Sequence, residues 1–310
     1  MTELKSKSIF LTGGTGFFGK SILSMLRRGF GKELKFTVLS RDPGKFLADN
    51  PFFTGMQAVN FIAGDIRDFK FPDQPFDCIF HAAAPTVAMP PGVERDIILT
   101  GTRRVLDFAR QSAAQRLLFV SSGAAYGPQP PDLERIPEDF PCHPVTEYGI
   151  AKYEAEQMCL DSGIETVIAR CFAFTGPYLN RNIHFAIGNF IRDCLADQDI
   201  EIKGDGTPYR SYLYADDLVR WLFTILFEGQ AGQAYNVGSD QAVSIRELAE
   251  TVKRVLQSNS NIIVRGTPVP GQLPVRYVPD ITKIQRELYV RIETGLEDAI
   301  LKTVRNDKVK

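Results

Sequence analysis

Along the first half of the chain, short runs of consecutive apolar residues alternate with longer segments whose apolar positions recur every three or four residues. Residues 8–12 (Ser-Ile-Phe-Leu-Thr) read as a buried strand, after which Ile22, Met25 and Leu26 fall at i, i+3 and i+4 of a helix that Gly29 ends. Further strands are expected at 36–40, 59–63, 78–81, 117–120 and 166–169, with helices at 96–110 and 148–161. Strands that are apolar on both faces and separated by helices are what a parallel sheet covered on both sides requires. The fold class expected is therefore α/β, a Rossmann-type doubly wound parallel sheet.

After about residue 170 the rhythm loosens. A Gly176-Pro177 turn precedes a helix carrying Ile187, Phe190, Ile191, Cys194 and Leu195 on one face, and Gly204-Asp205-Gly206 marks another turn. A helix at 216–227, a strand at 235–237 and a helix opened by a Ser244/Glu247 capping box follow. Residues 257–273 read as loops around a short strand at 262–264. This predicts a doubly wound domain at 1–170 and 210–240, and a smaller α/β lobe at 171–209 and 241–310.

Composition narrows the classes. The 310 residues hold 36 Lys plus Arg against 37 Asp plus Glu, a net charge of -1, with 44% hydrophobic residues. That balance argues against a surface built for nucleic acid or anionic lipid. Five scattered cysteines without a C-x-x-C pair favour reduced thiols over a disulfide framework or a zinc site. Of the histidines His81, His143 and His184, none has H-E-x-x-H spacing, so no metal is expected. Met1 to Ser8 is polar, and the longest apolar stretch, 221–227, is far shorter than a span of about 20 residues, so the chain reads as cytoplasmic and unprocessed.

The segment Thr12-Gly13-Gly14-Thr15-Gly16-Phe17-Phe18-Gly19 follows the first strand and opens the first helix. A pyrophosphate needs backbone N–H groups at a helix N-terminus and glycines that let the chain approach closely. Gly13, Gly16 and Gly19 have that spacing, and with Phe17 and Phe18 they form the first cofactor-binding set. At the end of the second strand, an acidic residue suits the ribose hydroxyls of NAD and a basic one the extra phosphate of NADP. Ser40 and Arg41 hold those positions, which favours NADP(H) over NAD(H), while Asp42 keeps NAD(H) open.

Tyr148 and Lys152 lie at i and i+4 of the 148–161 helix, on one face. A phenol titrates near 10, and a neighbouring ammonium brings it toward a useful range, so the pair has acid/base chemistry. With 10 Tyr and 14 Lys in the chain, chance supplies about half of one such spacing, so the pair gains meaning only from its company. That company is Ser121 and Ser122 at the carboxyl end of a strand, where a doubly wound sheet binds its ligands. A serine there also serves as an ordinary loop cap.

With glycine loop, strand-end serine and Tyr-Lys pair in this order, the chain resembles the extended short-chain dehydrogenase/reductases, specifically the nucleotide-sugar epimerase/dehydratase family, over nearly its whole length. By that likeness Asp65 and Ile66, in Gly64-Asp65-Ile66-Arg67-Asp68, contact the adenine, and Ala82 and Ala83 pass under the cofactor. Ser122 becomes the catalytic hydroxyl, Tyr148 the acid/base, and Lys152 both a ribose contact and the charge that lowers the tyrosine. Arg210, in Gly204-Asp205-Gly206-Thr207-Pro208-Tyr209-Arg210, resembles the family's diphosphate-binding arginine, Arg276 the second, and Asn189 joins the substrate contacts. Read without the likeness, each arginine is an ordinary exposed loop residue. The resemblance also implies a homodimer, for which Ile150, Tyr153 and Met158 offer an apolar face that core packing explains equally well.

The departures shape the expected activity. Ile98 stands where the family often has Asn, and Arg170-Cys171-Phe172-Ala173 lacks the family's Asn at its end. The 4,6-dehydratase branch carries an Asp-Glu pair right after the catalytic hydroxyl, whereas Gly123 and Ala124 move no proton. The implied function is hydride transfer at C4 of a nucleotide-diphosphate sugar, foremost 4-keto reduction with NADPH. A 4-epimerase holding NAD tightly is the alternative, and a non-catalytic dinucleotide-binding sensor is the alternative of another class.

Overall fold

The first strand, β1 (Lys7–Thr12), is apolar on both faces, and its Ile9, Phe10 and Leu11 are wholly buried. It sits centrally in a sheet for that reason. The computed structural model describes residues 7–85, 89–183 and 185–305; the first six residues of the polar N-terminal stretch and His184 lie outside them. After β1 come α1 (Phe17–Arg27), β2 (Leu34–Ser40), α2 (Pro43–Asp49), β3 (Val59–Ala63) and β4 (Cys78–His81). They are followed by α3 (Val93–Gln111), β5 (Arg116–Ser122), α4 (Glu147–Leu160) and β6 (Glu165–Cys171).

The later chain runs β7 (Phe174–Thr175), α5 (Ala186–Leu195), β8 (Ile200–Ile202), β9 (Tyr209–Arg210), β10 (Leu213–Tyr214) and α6 (Ala215–Glu228). Then come β11 (Ala234–Val237), β12 (Val243–Ser244), α7 (Ile245–Leu256), β13 (Ile262–Val264), β14 (Arg276–Tyr277), α8 (Thr282–Leu288) and α9 (Leu296–Arg305). One sheet has seven strands in the order β11-β6-β5-β4-β1-β2-β3. Ladders β1–β2, β1–β4, β2–β3, β4–β5 and β5–β6 are all parallel. The order reverses beside β1, which places the ligand-binding crevice of such a sheet at the carboxyl ends of β1 and β4.

The chain divides into two units. The first comprises Met1–Gly127, Cys142–Cys171 and Val219–Tyr235, and the second Pro128–Pro141, Phe172–Leu218 and Asn236–Lys310. The division differs from the boundaries read from the sequence, which placed 128–141, 210–218 and 236–240 with the cofactor domain and Cys171 with the smaller lobe. Residues 128–141 have no extended strand or long helix of their own to join the large sheet. Their backbone instead pairs within the second unit: Ile136 N donates to Val278 O at 2.9 Å and Asp280 N to Ile136 O at 2.8 Å.

In the first unit, one side of the sheet is sealed by an aromatic cluster. Phe10 has ring centroids of Phe69, Phe76 and Phe108 at 5.4, 5.5 and 4.6 Å. Such packing fixes β1 and α3 against each other, and so the loops that leave β1 and β4. In the second unit, β12, β9 and β14 form a three-stranded sheet and β13 pairs with β8. α7 carries the expected capping box between Ser244 and Glu247.

Candidate active site

The glycine loop joins β1 to α1. Gly13 has φ +75°, and a Cβ there would stand 2.6 Å from both the carbonyl carbon and oxygen of Ala82. Only glycine fits, because the loop after β4 crosses under the loop after β1 at this point. A Cβ on Gly19 would meet the backbone of Gly14 at 2.2 Å, so α1 is pressed against the turn that precedes it. Gly16 caps α1 without a side-chain hydrogen bond, and no acidic residue occupies the first turn. The first turn of an 11-residue helix thus points its positive end at a cradle that a side chain would fill, an arrangement suited to an anion. Gly13, Gly16, Gly19 and Ala82–Ala83 are brought together here, with Phe17 and Phe18 as the first residues of α1. These features fit a dinucleotide pyrophosphate.

The crossing is pinned from below. Ala83 N donates to Thr12 Oγ1 at 3.2 Å, Thr12 Oγ1 lies 2.8 Å from His81 Nδ1, and His81 Nε2 lies 3.1 Å from Thr102 Oγ1. His81 is buried, and burial, helped by the Lys152 charge, lowers its pKa to about 3. Sequence reasoning did not single out this network, whose members come from β1, β4 and α3.

At the outer end of β2, Ser40 is buried and Arg41 exposed. Asp42 is the N-cap of α2, its Oδ1 accepting from Lys45 N at 2.9 Å. Asp65 is within the field of Arg41, but its own partner is Arg67, with Oδ1 accepting from Arg67 Nε at 2.8 Å and Arg67 N at 3.0 Å. Arg67 also donates to Asp96 Oδ2 at 3.0 Å. Hydrogen bonding to Arg67 holds the Asp65 carboxyl below the usual carboxylate range. Ile66 packs on Gly101, where a Cβ would come within 2.9 Å of its Cγ1.

α4 carries the acid/base candidates. Thr146 caps it, accepting from Gly149 N at 3.0 Å, so the helix opens one residue before Tyr148. The Tyr148 hydroxyl is hydrogen-bonded to Ser122, and Ser122 Oγ also accepts from Ala124 N at 3.2 Å. Lys152, one turn on, is buried, with Nζ donating to Val120 O at 2.6 Å and lying 4.2 Å from the Phe119 ring centroid. The structure brings Ser122, Tyr148 and Lys152 together at the carboxyl end of β5. It corrects one detail of the sequence reading. Burial pushes Tyr148 up to about 12, opposed by the Ser122 hydrogen bond, and burial pushes Lys152 down to about 8. Desolvation outweighs any lowering of the tyrosine by the ammonium, which is directed at the Val120 carbonyl.

Beneath this pair lies a buried ion pair that the sequence reading missed. Glu156 accepts from Arg170 Nη2 at 2.8 Å and from the Ser121 hydroxyl, and Arg170 lies 4.6 Å from the Tyr126 ring centroid. The available signal was Glu156 at i+4 from Lys152, a carboxylate on the face of α4 that carries the buried lysine.

In the second unit, Arg210 and Arg276 lie on adjacent strands, but the register pairs Arg276 with Tyr209 and Tyr277 with Arg210. Paired residues share a face and neighbours along a strand alternate, so the two arginines point to opposite faces of this sheet. Each guanidinium lies over the opposing strand's ring: Arg276 at 4.4 Å from Tyr209 and Arg210 at 5.9 Å from Tyr277. The two expected diphosphate contacts are therefore neighbours without forming one cluster. A cavity of about 570 Å³ opens beside Tyr209, lined also by Asp205, Thr207, Ser244 and Arg246. Asn189 Oδ1 on α5 and Ser211 Oγ are buried without a hydrogen-bond partner among the described residues. Among those residues there is no group of three or more His, Cys, Asp or Glu able to hold a metal, and no helix long and apolar enough to cross a membrane.

Comparison with known proteins places the chain in a family. Residues 9–238 match the model of the NAD dependent epimerase/dehydratase family. The chain is 28% identical to UDP-glucuronic acid decarboxylase 1 of Danio rerio, over 98% of this chain and 73% of that one. It is 27% identical to dTDP-glucose 4,6-dehydratase of Streptomyces niveus, over 96% and 91%. The structure of DesIV, a dTDP-glucose 4,6-dehydratase of Streptomyces venezuelae with NAD bound, superposes with a TM-score of 0.83 at 25% identity, covering 98% of this chain and 97% of that one. UDP-glucose 4-epimerase of Thermotoga maritima shares the fold, with a TM-score of 0.82 at 22% identity and coverage of 97% and 99%. This chain is a member of the NAD-dependent epimerase/dehydratase family, whose enzymes act on nucleotide sugars.

Proposed function

We propose that the protein is an NADPH-dependent reductase of the 4-keto group of a nucleotide-diphosphate sugar. The observation that carries this is the Tyr148–Ser122 hydrogen bond at the end of β5, followed by Gly123 and Ala124. A hydroxyl pair there can hold and protonate a carbonyl oxygen, while residues without a titratable side chain cannot take part in eliminating water across the neighbouring carbons. The nicotinamide, when bound, supplies the hydride.

The residues divide the remaining work. Ser122 Oγ donates to the carbonyl oxygen and orients it, and Tyr148 Oη delivers the proton to the resulting alkoxide. The Lys152 ammonium, one helical turn below, stabilises the phenolate that is left. The amides opening α1, with Gly13, Gly16 and Gly19, hold the pyrophosphate, while Asp65 and Ile66 flank the adenine and Ala82–Ala83 the nicotinamide side. In the second unit, Arg210, Arg276 and the orphaned acceptor of Asn189 are the candidates for the sugar nucleotide. A guanidinium matches a diphosphate by charge and geometry.

The NADPH preference rests on Arg41. It is exposed and makes no hydrogen bond or ion pair among the described residues, whereas Asp42, the residue that would favour NAD, is committed to capping α2. A second reading, 4-epimerisation with retained NAD, is favoured by the NAD bound in DesIV. Purified protein separates the two. Oxidation of NADPH by a nucleotide-linked 4-keto sugar supports reduction, whereas copurified NAD with interconversion of C4 epimers and no net NADPH turnover rejects it. A sensor without catalysis is disfavoured by the intact Ser122–Tyr148–Lys152 set. A homodimer through α3 and α4 is part of the proposal, with half-buried Ile150 and Tyr153 in its interface; Met158 packs against the core instead.

A further inference from the structure

The fully buried positions of α4 are Gly149, Ala151, Lys152, Ala155, Glu156 and Cys159. They are small or polar, and no large apolar side chain among them keys the helix into the sheet. A Cβ on Gly149 would stand 2.5 Å from Ala124 O, which shows how closely the helix approaches the end of β5. Small side chains permit that approach but interdigitate little, so they specify poorly where the helix sits along its axis.

Polar anchors do so instead, one per turn. Tyr148 is bonded to Ser122, Lys152 Nζ to Val120 O at 2.6 Å, and Glu156 to the Ser121 hydroxyl. Three successive residues of β5 thus hold three successive turns of α4. The third anchor is charged on both sides. Glu156 is completely buried and also receives Arg170 Nε at 3.2 Å and Nη2 at 2.8 Å. Arg170 is the β6 partner of Ser121 in the sheet register and stacks on Tyr126, so the carboxylate ties α4, β5 and β6 together.

We infer that Glu156, clamped by Arg170 and Ser121, is the positioning residue of the Tyr148–Lys152 pair, setting the seat of α4 on β5 and supplying the negative charge that faces the Lys152 ammonium. This rests on the acid/base roles proposed above for Tyr148 and Lys152. The groups facing that ammonium are Glu156 and Cys159 from α4, the Val120 carbonyl and Phe119 ring from β5, Cys171 from β6 and His81 from β4, with Arg170 of β6 paired to Glu156. His81 is neutral and the Cys159 and Cys171 thiols are pushed far up by burial, so in this set Glu156, paired with the Arg170 guanidinium, is the carboxylate that faces the ammonium. Burial lowers Lys152 to about 8, and Glu156 works against that lowering.

The test is Glu156→Gln in the full-length protein, with the Lys152 side chain titrated by 13C NMR and assigned through Lys152→Arg. The expected result is a Lys152 titration about one pH unit lower. The alkaline limb of the kcat profile should move with it, and kcat should fall about tenfold while KM for the dinucleotide changes less than about twofold. Glu156→Asp, which keeps the charge, should restore the titration. A Glu156→Gln protein that is merely less stable, with titration and pH profile unchanged, overturns the inference. Should the unpaired Arg170 prevent folding, Glu156→Gln with Arg170→Gln removes both charges, and its Lys152 titration must lie below that of Arg170→Gln alone. The NMR readout needs no substrate. A protein inactive toward nucleotide sugars but showing the shift rejects the functional reading and leaves the role of Glu156 standing.

Discussion

Thr12 Oγ1 stands 2.8 Å from His81 Nδ1, joining the ends of β1 and β4 across 69 residues of chain directly beneath the glycine loop. Both ring nitrogens of His81 face threonine hydroxyls, which can donate or accept, so the neutral imidazole is satisfied without a counter-charge. Its folded pKa of about 3 lies well below the ordinary value of 6.5. Between those values the unfolded chain binds a proton that the folded chain refuses, so this group's stabilisation is intact above 6.5 and is lost as pH falls toward 3. The slope is about 1.4 kcal/mol per pH unit inside that window. Urea unfolding at pH 7 and pH 5 should show it, and His81→Gln should unfold with a visibly smaller difference between the two. Equal pH dependence in both proteins would contradict the neutral buried imidazole.

Tyr148→Phe keeps the ring and removes only the hydroxyl bonded to Ser122. Turnover of a nucleotide-linked 4-keto sugar should fall about a hundredfold to ten-thousandfold, as expected for loss of a positioned proton donor. Dinucleotide affinity, measured by fluorescence or calorimetry, should change little because the glycine cradle is untouched. Unchanged turnover would remove Tyr148 from the chemistry.

Gly13→Ala and Gly19→Ala should each weaken dinucleotide binding at least about tenfold. The causes differ. At Gly13 the added Cβ meets the Ala82 carbonyl at 2.6 Å with φ at +75°, so both strain and a backbone clash apply; at Gly19 it meets Gly14 at 2.2 Å. The clashing atoms are backbone, which cannot swing aside as a side chain can. Calorimetric titration of NADPH into each variant is the measurement, and wild-type affinity in either would mean the loop relaxes.

What the sequence made legible here is what short-range chemistry dictates. The glycine spacing is visible because the conformations it allows are local, and the Tyr148–Lys152 spacing because one helical turn joins them. Strands β3 and β13 fall where apolar runs bounded by turn residues put them. The unread parts depend on partners far apart in the chain. Glu156 and Arg170 look like ordinary charges until β6 brings the arginine beneath α4, and His81 looks like a strand residue until Thr12 and Thr102 enclose it. The segment 128–141 carries no periodicity, so nothing local told which unit it would join. Arg67 lies two residues from Asp65, yet only the folded turn shows that it occupies both carboxylate oxygens.

Coenzyme choice should turn on Arg41. Its guanidinium lies exposed beyond the end of β2 and close enough to Asp65 to lower that carboxyl's pKa, which puts it at the rim where the adenosine ribose lies in this fold. Arg67, the other cation at this rim, is already shared between Asp65 and Asp96, at 2.8 and 3.0 Å. Arg41 is therefore the cation left to meet a 2′-phosphate, and Ser40 beside it introduces no opposing charge. Arg41→Ala should raise KM for NADPH about tenfold, consistent with loss of one charge-assisted contact, and leave KM for NADH within about twofold. Because an exposed guanidinium acts through a screened field, added salt should erode the NADPH preference of the wild type and leave the variant nearly indifferent. Equal use of the two coenzymes by the unmodified protein, at low salt, would reject the assignment and return Asp42 to the discriminating position.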